Sequence, residues 1–490
     1  MKKFWKYFTI LILLLTGLFC VGLLYLFFVK GSTLFNITYV SHNKTYLSKS
    51  YTASEVSTIK LNSRAYRVNI VPAKSEEISA SVQARTLGYT LVKNSNVSVT
   101  SKLVDGILTI EVDEPYGIAF RGDSFIELKI PENYSPNLIL NNKYAKTTLN
   151  NEKIKLSSLS YTTKSGDFEF KQGSILGTLD LNLNKANFNI YKSASLNNPN
   201  VRINLTSGKF RANHHDLNIV NVIKNKRGVV ELKSCFRFEM NSKSSGGKLD
   251  IETLQHADIT SSDTNVYIKN LYGGSIKLTE SGKIKVTNIK GISTLETSTG
   301  SITVKNAETE LTTISDSGNQ SISNATKRVS AESTYGNISI KFAETAPSYV
   351  FSSNPENIQN YRSIFVFTKN GKVTASGVDN ATVKITDKGN GRVYLTMHNV
   401  LGNNVIEAKK GEVKVIVAQT AQYHLTTEST NNGKVYVNVG QFAVNGYTTP
   451  EKTTNLITNS QVSTVVEHTL DISTTSGDLT VMDELVNEIN

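Results

Sequence analysis

One short phrase recurs from Lys164 to Thr480: a turn residue, a glycine, a polar residue, then a strand whose apolar positions alternate. It reads Ser165-Gly166-Asp167-Phe168-Glu169-Phe170, Ser281-Gly282-Lys283-Ile284-Lys285-Val286, Thr299-Gly300-Ser301-Ile302-Thr303-Val304 and, near the end, Ser476-Gly477-Asp478-Leu479-Thr480-Val481. Successive glycines of the phrase stand 42, 39, 35, 18, 36, 35, 20, 20, 22 and 44 residues apart. These gaps are one or two multiples of roughly 18–22 residues, the repeat length of stacked-coil architectures. Fainter copies fall in the long gaps, at Asn187-Phe188-Asn189-Ile190, Asn265-Val266-Tyr267-Ile268 and Gly318-Asn319-Gln320-Ser321-Ile322.

Each glycine serves either a turn position needing positive φ or a close approach of adjacent coils. The residues two and four beyond it (Phe168 and Phe170, Leu249 and Ile251, Ile284 and Val286) share one face, and Glu169, Asp250 and Lys285 point to the other. A single coil cannot bury its few inward residues. Stacked at about 4.8 Å, coils build a continuous apolar core. The expected fold is therefore all-β, a single-stranded β-solenoid (β-helix-like) of roughly 18–22-residue coils, preceded by one transmembrane helix. A series of two-sheet β-sandwiches is the competing reading, though its hairpins would space the glycines less evenly.

Composition agrees with a strand-rich body. Apolar residues make up 39% and charged residues only 19%, so the polar surface comes from Ser, Thr and Asn, which suit strand faces and turns better than helices. The formal net charge is +12, but the lysines are scattered. Such a surface is solvated and edge-protected, with a weak attraction for anionic lipid headgroups or envelope polymers. No dense basic run or basic-aromatic motif calls for nucleic acid. Cys20 sits in an apolar run and Cys235 in the repeat body, so the fold does not rely on a disulfide between them.

Phe8 to Val29 is a run of 22 residues without a charge, enough to span about 33 Å as a helix. It is too long for a signal-peptide core and no small-x-small cleavage site follows; Phe19 before Cys20 argues against a lipid-anchored cysteine. Lys2, Lys3 and Lys6 precede the run, Trp5 and Tyr7 flank it, and Lys30 alone follows closely. The positive-inside rule places the N-terminus in the cytoplasm. The expected location is the cell membrane, single-pass, with the bulk of the chain extracytoplasmic.

The expected organisation is a short basic cytoplasmic tail (1–7), a transmembrane anchor in the lipid bilayer (8–29), a juxtamembrane spacer (30–55) and an N-terminal β region that starts the solenoid (56–150). Solenoid repeats follow (151–482), with insertions near 342–364 and 440–460 where Pro347, Pro355 and Pro450 fall, and a C-terminal cap or tail (483–490). Period-two alternation is clear at Ile59-Lys60-Leu61, Ile78-Ser79-Ala80-Ser81-Val82 and Ile107-Leu108-Thr109-Ile110-Glu111-Val112.

The strand Val68-Asn69-Ile70-Val71-Pro72, the strand Leu128-Lys129-Ile130-Pro131 and the Ser-Gly-Asp/Lys-apolar-x-apolar phrase resemble the adhesin-labelled bacterial envelope domains of unknown function, over roughly residues 56–340 and loosely beyond. The resemblance implies a β-solenoid outside the membrane in a membrane-anchored or secreted protein. It brings no catalytic signature to carry over.

The residues themselves offer little chemistry. The histidines (His42, His214, His215, His256, His398, His424, His468) are spread out, and adjacent residues such as His214 and His215 face opposite ways on a strand. Gly389-Asn390-Gly391 has no helix after it and reads as a repeat turn, not a phosphate loop. Asp250, Asp258 and Asp263 are near one another in sequence, but a lateral-groove hydrolase needs converging carboxylates. No catalytic, cofactor-binding or metal-ligating residue is singled out, and no cofactor is expected. The expected function is a non-enzymatic binding or adhesion module at the bacterial cell surface, contacting envelope polymers, glycans or surface proteins. The alternative is an envelope scaffold or stress-sensing component that assembles with itself or a membrane partner.

Overall fold

The computed structural model describes residues 2–28, 38–47, 49–90, 97–113, 117–121, 124–197, 200–343, 362–378, 381–397, 400, 402–417, 423–430, 433–439, 442–447, 453–457 and 469–483. The chain divides into two compact units, Met1–Ile175 with Ser193–Ser195, and Leu176–Lys192 with Leu196–Asn490.

The first unit opens with the helix Lys2–Phe28. The Thr9 and Thr16 hydroxyls donate to the carbonyls of Trp5 (2.8 Å) and Ile12 (2.7 Å), so the helix absorbs its own polar side chains. Among the described residues no helix is long and apolar enough to cross a membrane. Within the expected spacer lie the strand Thr38–Leu47, a short strand Tyr51–Thr52 and a single 3-10 turn Ala53–Glu55.

Beyond that point the first unit is two columns of strands. One column pairs Ile107–Asp113, Thr58–Ser63, Asn137–Asn142 and Ser158–Thr163, all parallel. The other pairs Phe125–Pro131, Arg67–Ala73, Thr147–Leu156 and Phe168–Ile175, again parallel. Register carries the core: Leu108, Ile59, Leu138 and Leu159 stand in one file and Ile110, Leu61, Leu140 and Tyr161 in the next, all buried. Each such side chain contributes about 1.5–3 kcal/mol on leaving water.

In the second unit the parallel register becomes regular. Ile284, Ile302, Gln320, Ile338, Val373, Val393 and Val413 stand in register down one column. Ser293, Leu311, Val329, Ile364 and Val383 do the same in the other. The body is thus all-β and solenoid-like, and parallel pairing between successive coils replaces the hairpins of a sandwich series. The faint copies are full coils: Val266 pairs with Ile284, and Gln320 takes a core position usually held by Ile or Val. In the core the Thr313 hydroxyl donates to Gln320 Oε1 and Gln320 Nε2 donates to Glu332 O, which satisfies both ends of the odd amide.

Repeat glycines are required by close approach. An added Cβ on Gly300, Gly318, Gly336 or Gly371 would fall inside the van der Waals shell of the carbonyl oxygen of Gly282, Gly300, Gly318 or Gly336 respectively. None of these four has positive φ; Gly208 and Gly247, at 110° and 140°, are the phrase glycines that use the left-handed region. Three residues before the glycine sits a buried hydroxyl. Thr163, Thr297, Ser333, Thr368 and Thr474 each accept the N–H of Gly166, Gly300, Gly336, Gly371 and Gly477, at 2.8, 3.2, 2.8, 3.0 and 2.8 Å. The turn donor that would otherwise be orphaned inside the stack is satisfied in this way.

Spatial order departs from chain order near both ends. In the first unit the coil 58–73 lies between the coils 107–131 and 137–156. In the second, the C-terminal coil of Thr469–Thr474 and Leu479–Asp483 slots between the coils 403–417 and 423–439. The outermost coils are closed by antiparallel strands. Ser98–Val104 and Glu77–Thr90 cover one, and Thr453–Ile457 and Phe442–Tyr447, within the expected insertion, cover the other. These strands stop the parallel ladder. The rest of the two expected insertions (344–361, 440–441, 448–452 and 458–460) and the expected cap after residue 483 lie outside the described residues.

Replacing Gly318 by Ala is expected to cost at least 1–3 kcal/mol, the usual range for overpacking, and to lower the urea midpoint of the full chain in detergent. Ile292→Ala, at a side chain 72% exposed, is expected to stay within about 0.5 kcal/mol.

Candidate binding groove

Outward positions of the second unit form rows that run across the strands, because parallel register puts equivalent residues side by side. Arg211 is in register with Glu231, and Tyr267, Lys285 and Thr303 follow one another further along. Between them the backbone N–H of Lys248 donates to Gly228 O (3.0 Å), Lys269 Nζ to Glu252 Oε1 (2.8 Å) and Asn270 Nδ2 to Thr253 Oγ1 (3.4 Å). Asp250 and Glu252 therefore lie between the Glu231 and Tyr267 rungs. The result is a concave polar groove of about 580 Å³, floored by the strand backbone at Leu232, Ile251 and Ile268, whose side chains are buried in the core, and walled by Glu231, Lys233, Asp250, Glu252, Tyr267, Lys269, Lys285 and Thr287.

Most wall charges are tied down. Glu231 accepts from Lys209 Nζ (2.9 Å) and Arg211 Nε (2.7 Å), Asp250 from Lys248 Nζ (2.6 Å), and Lys233 lies 3.6 Å from Asp216. The Lys248 ammonium is also 5.0 Å from the centre of the Tyr267 ring, holding that ring by a cation–π contact. Half-exposed pairs of this kind contribute little stability, roughly 0.2–1 kcal/mol each, but they fix the positions of the groups that face the groove. Burial pushes the Glu231 carboxyl up, yet the hydrogen bonds from Arg211 and Lys209 outweigh it and leave it below the ordinary value. The hydrogen bond from Lys269 holds Glu252 low, and the one to Asp250 raises Lys248. Glu231 and Glu252 are therefore held as anions.

One file over, Asn288 Nδ2 donates to Asn270 Oδ1 (2.7 Å), Asn306 to Asn288 (2.6 Å) and Asn324 to Asn306 (2.9 Å). This asparagine ladder locks successive coils together alongside the groove. Its signal was present in the sequence as Asn every 18 residues, and so was the Ser/Thr three residues before the phrase glycines other than Gly208, Gly391 and Gly411. Reading turn residues only beside the glycine misses both.

Residues singled out by their chemistry are not brought together. His215 Nε2 lies 2.9 Å from Tyr191 O, and Asp216 accepts from Ser234 (2.6 Å), so the His-His-Asp run is spent on neighbouring coils. Asp263 accepts from the Ser281 hydroxyl (2.6 Å) in a turn, Asp258 is exposed elsewhere, and only Asp250 reaches the groove. Gly389 lies in a turn where its N–H donates to the buried Asp387 (3.1 Å); burial raises that carboxyl despite the donors from Gly389 and Gly391. Cys235 is buried, which pushes its thiol up to about 12. Among the described residues no three His, Cys, Asp or Glu side chains could hold a metal ion. His398, His468 and the side chain of His42 lie outside the described residues.

A family model described as Toastrack DUF4097 matches residues 56–374. The chain belongs to this Toastrack family. The groove lies inside the matched segment, and the parallel register of Val373, Val393 and Val413 carries the stack past it. No curated protein matches the sequence. Among solved structures, a putative cell adhesion protein from Clostridium sporogenes is 10% identical, covering 90% of this chain and 99% of that one with a TM-score of 0.14. A putative adhesin from Bacteroides fragilis is 11% identical, covering 90% and 98%, TM-score 0.14. Another, from Parabacteroides merdae, is 14% identical, covering 72% and 97%, TM-score 0.14. All three likenesses are distant.

Selective labelling of glutamate is expected to report a Glu231 titration below 4.5, the ordinary value, and Arg211→Gln is expected to raise it. Because the folded value is depressed, the stability it contributes is complete above the unfolded carboxylate value and is lost as pH falls through the folded one. An unshifted Glu231 would show that the Arg211–Glu231 rung does not form.

Proposed function

We propose that this Toastrack protein is a non-enzymatic surface-binding module, anchored by its N-terminal helix and binding an extended envelope polymer or glycan along the groove. The observation that carries the reading is the groove itself. Its rungs repeat at the strand spacing of about 4.8 Å, close to the step by which an extended hexose polymer advances, so a chain lying across the strands meets a new polar rung with each sugar. Tyr267 offers a ring to stack on an apolar sugar face, and Glu231, Asp250 and Lys269 offer positioned hydrogen-bonding groups. Shallow, repeated contacts of this kind gain affinity by multivalency more than by depth.

Anchoring rests on the uncharged run Phe8–Val29 and the lysines before it, which favour a single pass with the repeats outside the cytoplasm. The non-enzymatic reading is supported by the anionic state of Glu231 and Glu252, since a glycosidase-type acid needs a carboxyl whose value is raised. Self-assembly end to end is less favoured, because antiparallel strands terminate the parallel ladder at the outer coil of each unit.

Full-length protein in detergent is expected to co-sediment with isolated bacterial cell-wall polymer, and Tyr267→Ala to weaken that binding about tenfold, the ~1.4 kcal/mol equivalent of one lost aromatic contact. Ser339→Ala, on the same face but away from the groove, is expected to leave it unchanged. Equal binding by the Tyr267 and Ser339 variants would refute the groove as the site.

A further inference from the structure

Charge is distributed unevenly along the groove. At the Arg211 end every wall carboxylate has a cation: Glu231 has Lys209 and Arg211, Asp250 has Lys248, and Glu252 has Lys269. Lys233 is met by Asp216. At the other end the balance fails. Lys285 faces outward beside Tyr267 and Thr303 in register, and among the described residues no carboxylate pairs with it. Lys305 lies one strand over and two residues along, in the file of Thr287, and has no acid partner among the described residues either. From the strand geometry the bases of these two lysines are separated by one interstrand step of about 4.8 Å and two residue steps of about 3.3 Å. Between them stand the hydroxyls of Thr287 and Thr303.

We infer that this end of the groove is an oxyanion subsite, and that the polymer it takes is an anionic glycopolymer whose repeated carboxylates or phosphodiesters meet Lys285 and Lys305 while a neighbouring sugar stacks on Tyr267. The inference rests on the groove being the binding site and adds the charge of the ligand. Lys285 on the wall and Lys305 on the next strand beyond it, neither with an acid partner among the described residues, leave local positive charge at this end that neutral sugar cannot match. A flat basic patch for a bilayer would not need the concave wall or the ring. The threonine hydroxyls supply the neutral donors that complete an oxyanion's hydrogen bonds. Both lysines are exposed, so the preference depends on ionic strength.

The test uses full-length protein in detergent and four probes: polygalacturonate, its fully methyl-esterified neutral form, a poly(ribitol phosphate), and phosphatidylglycerol vesicles. The expected result is about tenfold tighter binding to the acid polymer than to its ester, a preference lost at high salt. Lys285→Gln with Lys305→Gln should remove that preference and leave ester binding intact, while Tyr267→Ala weakens both. Whether polygalacturonate or poly(ribitol phosphate) binds tighter identifies the oxyanion. Equal affinity for acid and ester, with Tyr267→Ala still weakening both, overturns the oxyanion subsite and leaves the groove standing. Failure of all three polymers overturns both. Vesicle binding that equals polymer binding and is lost in the lysine double variant overturns the glycopolymer and assigns the lysines to lipid. Both lysines are exposed, so circular dichroism and the urea midpoint of the double variant should match the parent.

Discussion

Parallel coils brought within one strand spacing of each other are the constraint on which everything else depends. At that distance a side chain on the turn would occupy the carbonyl of the coil before it, which is why Gly282, Gly300, Gly318, Gly336 and Gly371 follow one another in a file. The same approach buries the turn donors, and a hydroxyl three residues upstream must accept them. Core, glycine file and hydroxyl file therefore come together at Gly300, Gly336, Gly371 and Gly477. Repeats built this way interact chiefly with their neighbours. A defect in one coil weakens the pairing on both sides of it.

The same register makes the surface. Equivalent outward residues of successive coils fall into rows, so a charge or ring at one position meets whatever its neighbour carries. From Thr303 through Ser321 and Ser339 to Thr374 that row is small and hydroxylic, and Tyr394 and Lys414 follow it. Around residues 209–287 it becomes charged and aromatic, and there the face is concave. The candidate site is thus a local change in side chains on an otherwise uniform scaffold, which is how one fold hosts different functions.

Much of the scaffold was legible because its signals are periodic: alternation gave the buried Phe168, Phe170, Ile284 and Val286, and the glycine gaps gave the coil. Two things were hidden. Register across the 43-residue strand Val229–Leu271 decides which charges meet, and no local pattern reveals it, so the pairing of Arg211 with Glu231 could not be read. Chain order also misled: Ser476-Gly477-Asp478 looks like the final coil but sits between two earlier ones. Parallel strands of the same pattern are interchangeable neighbours in sequence terms, and only long-range packing orders them. Asp250 and Lys285 were legible as outward-facing, but not as members of one groove.

Cross-linking of register partners tests the stack most directly. Asn288 and Asn306 stand opposite one another in adjacent coils, within reach of a disulfide at the usual Cα separation of about 4.4–6.8 Å. With Cys20 and Cys235 replaced by serine, full-length Asn288→Cys/Asn306→Cys is expected to oxidise quantitatively to an intrachain bridge. Asn288→Cys/Asn324→Cys, two coils apart, is expected to stay reduced. A bridge in the second pair and none in the first would contradict the 18-residue register and with it the groove.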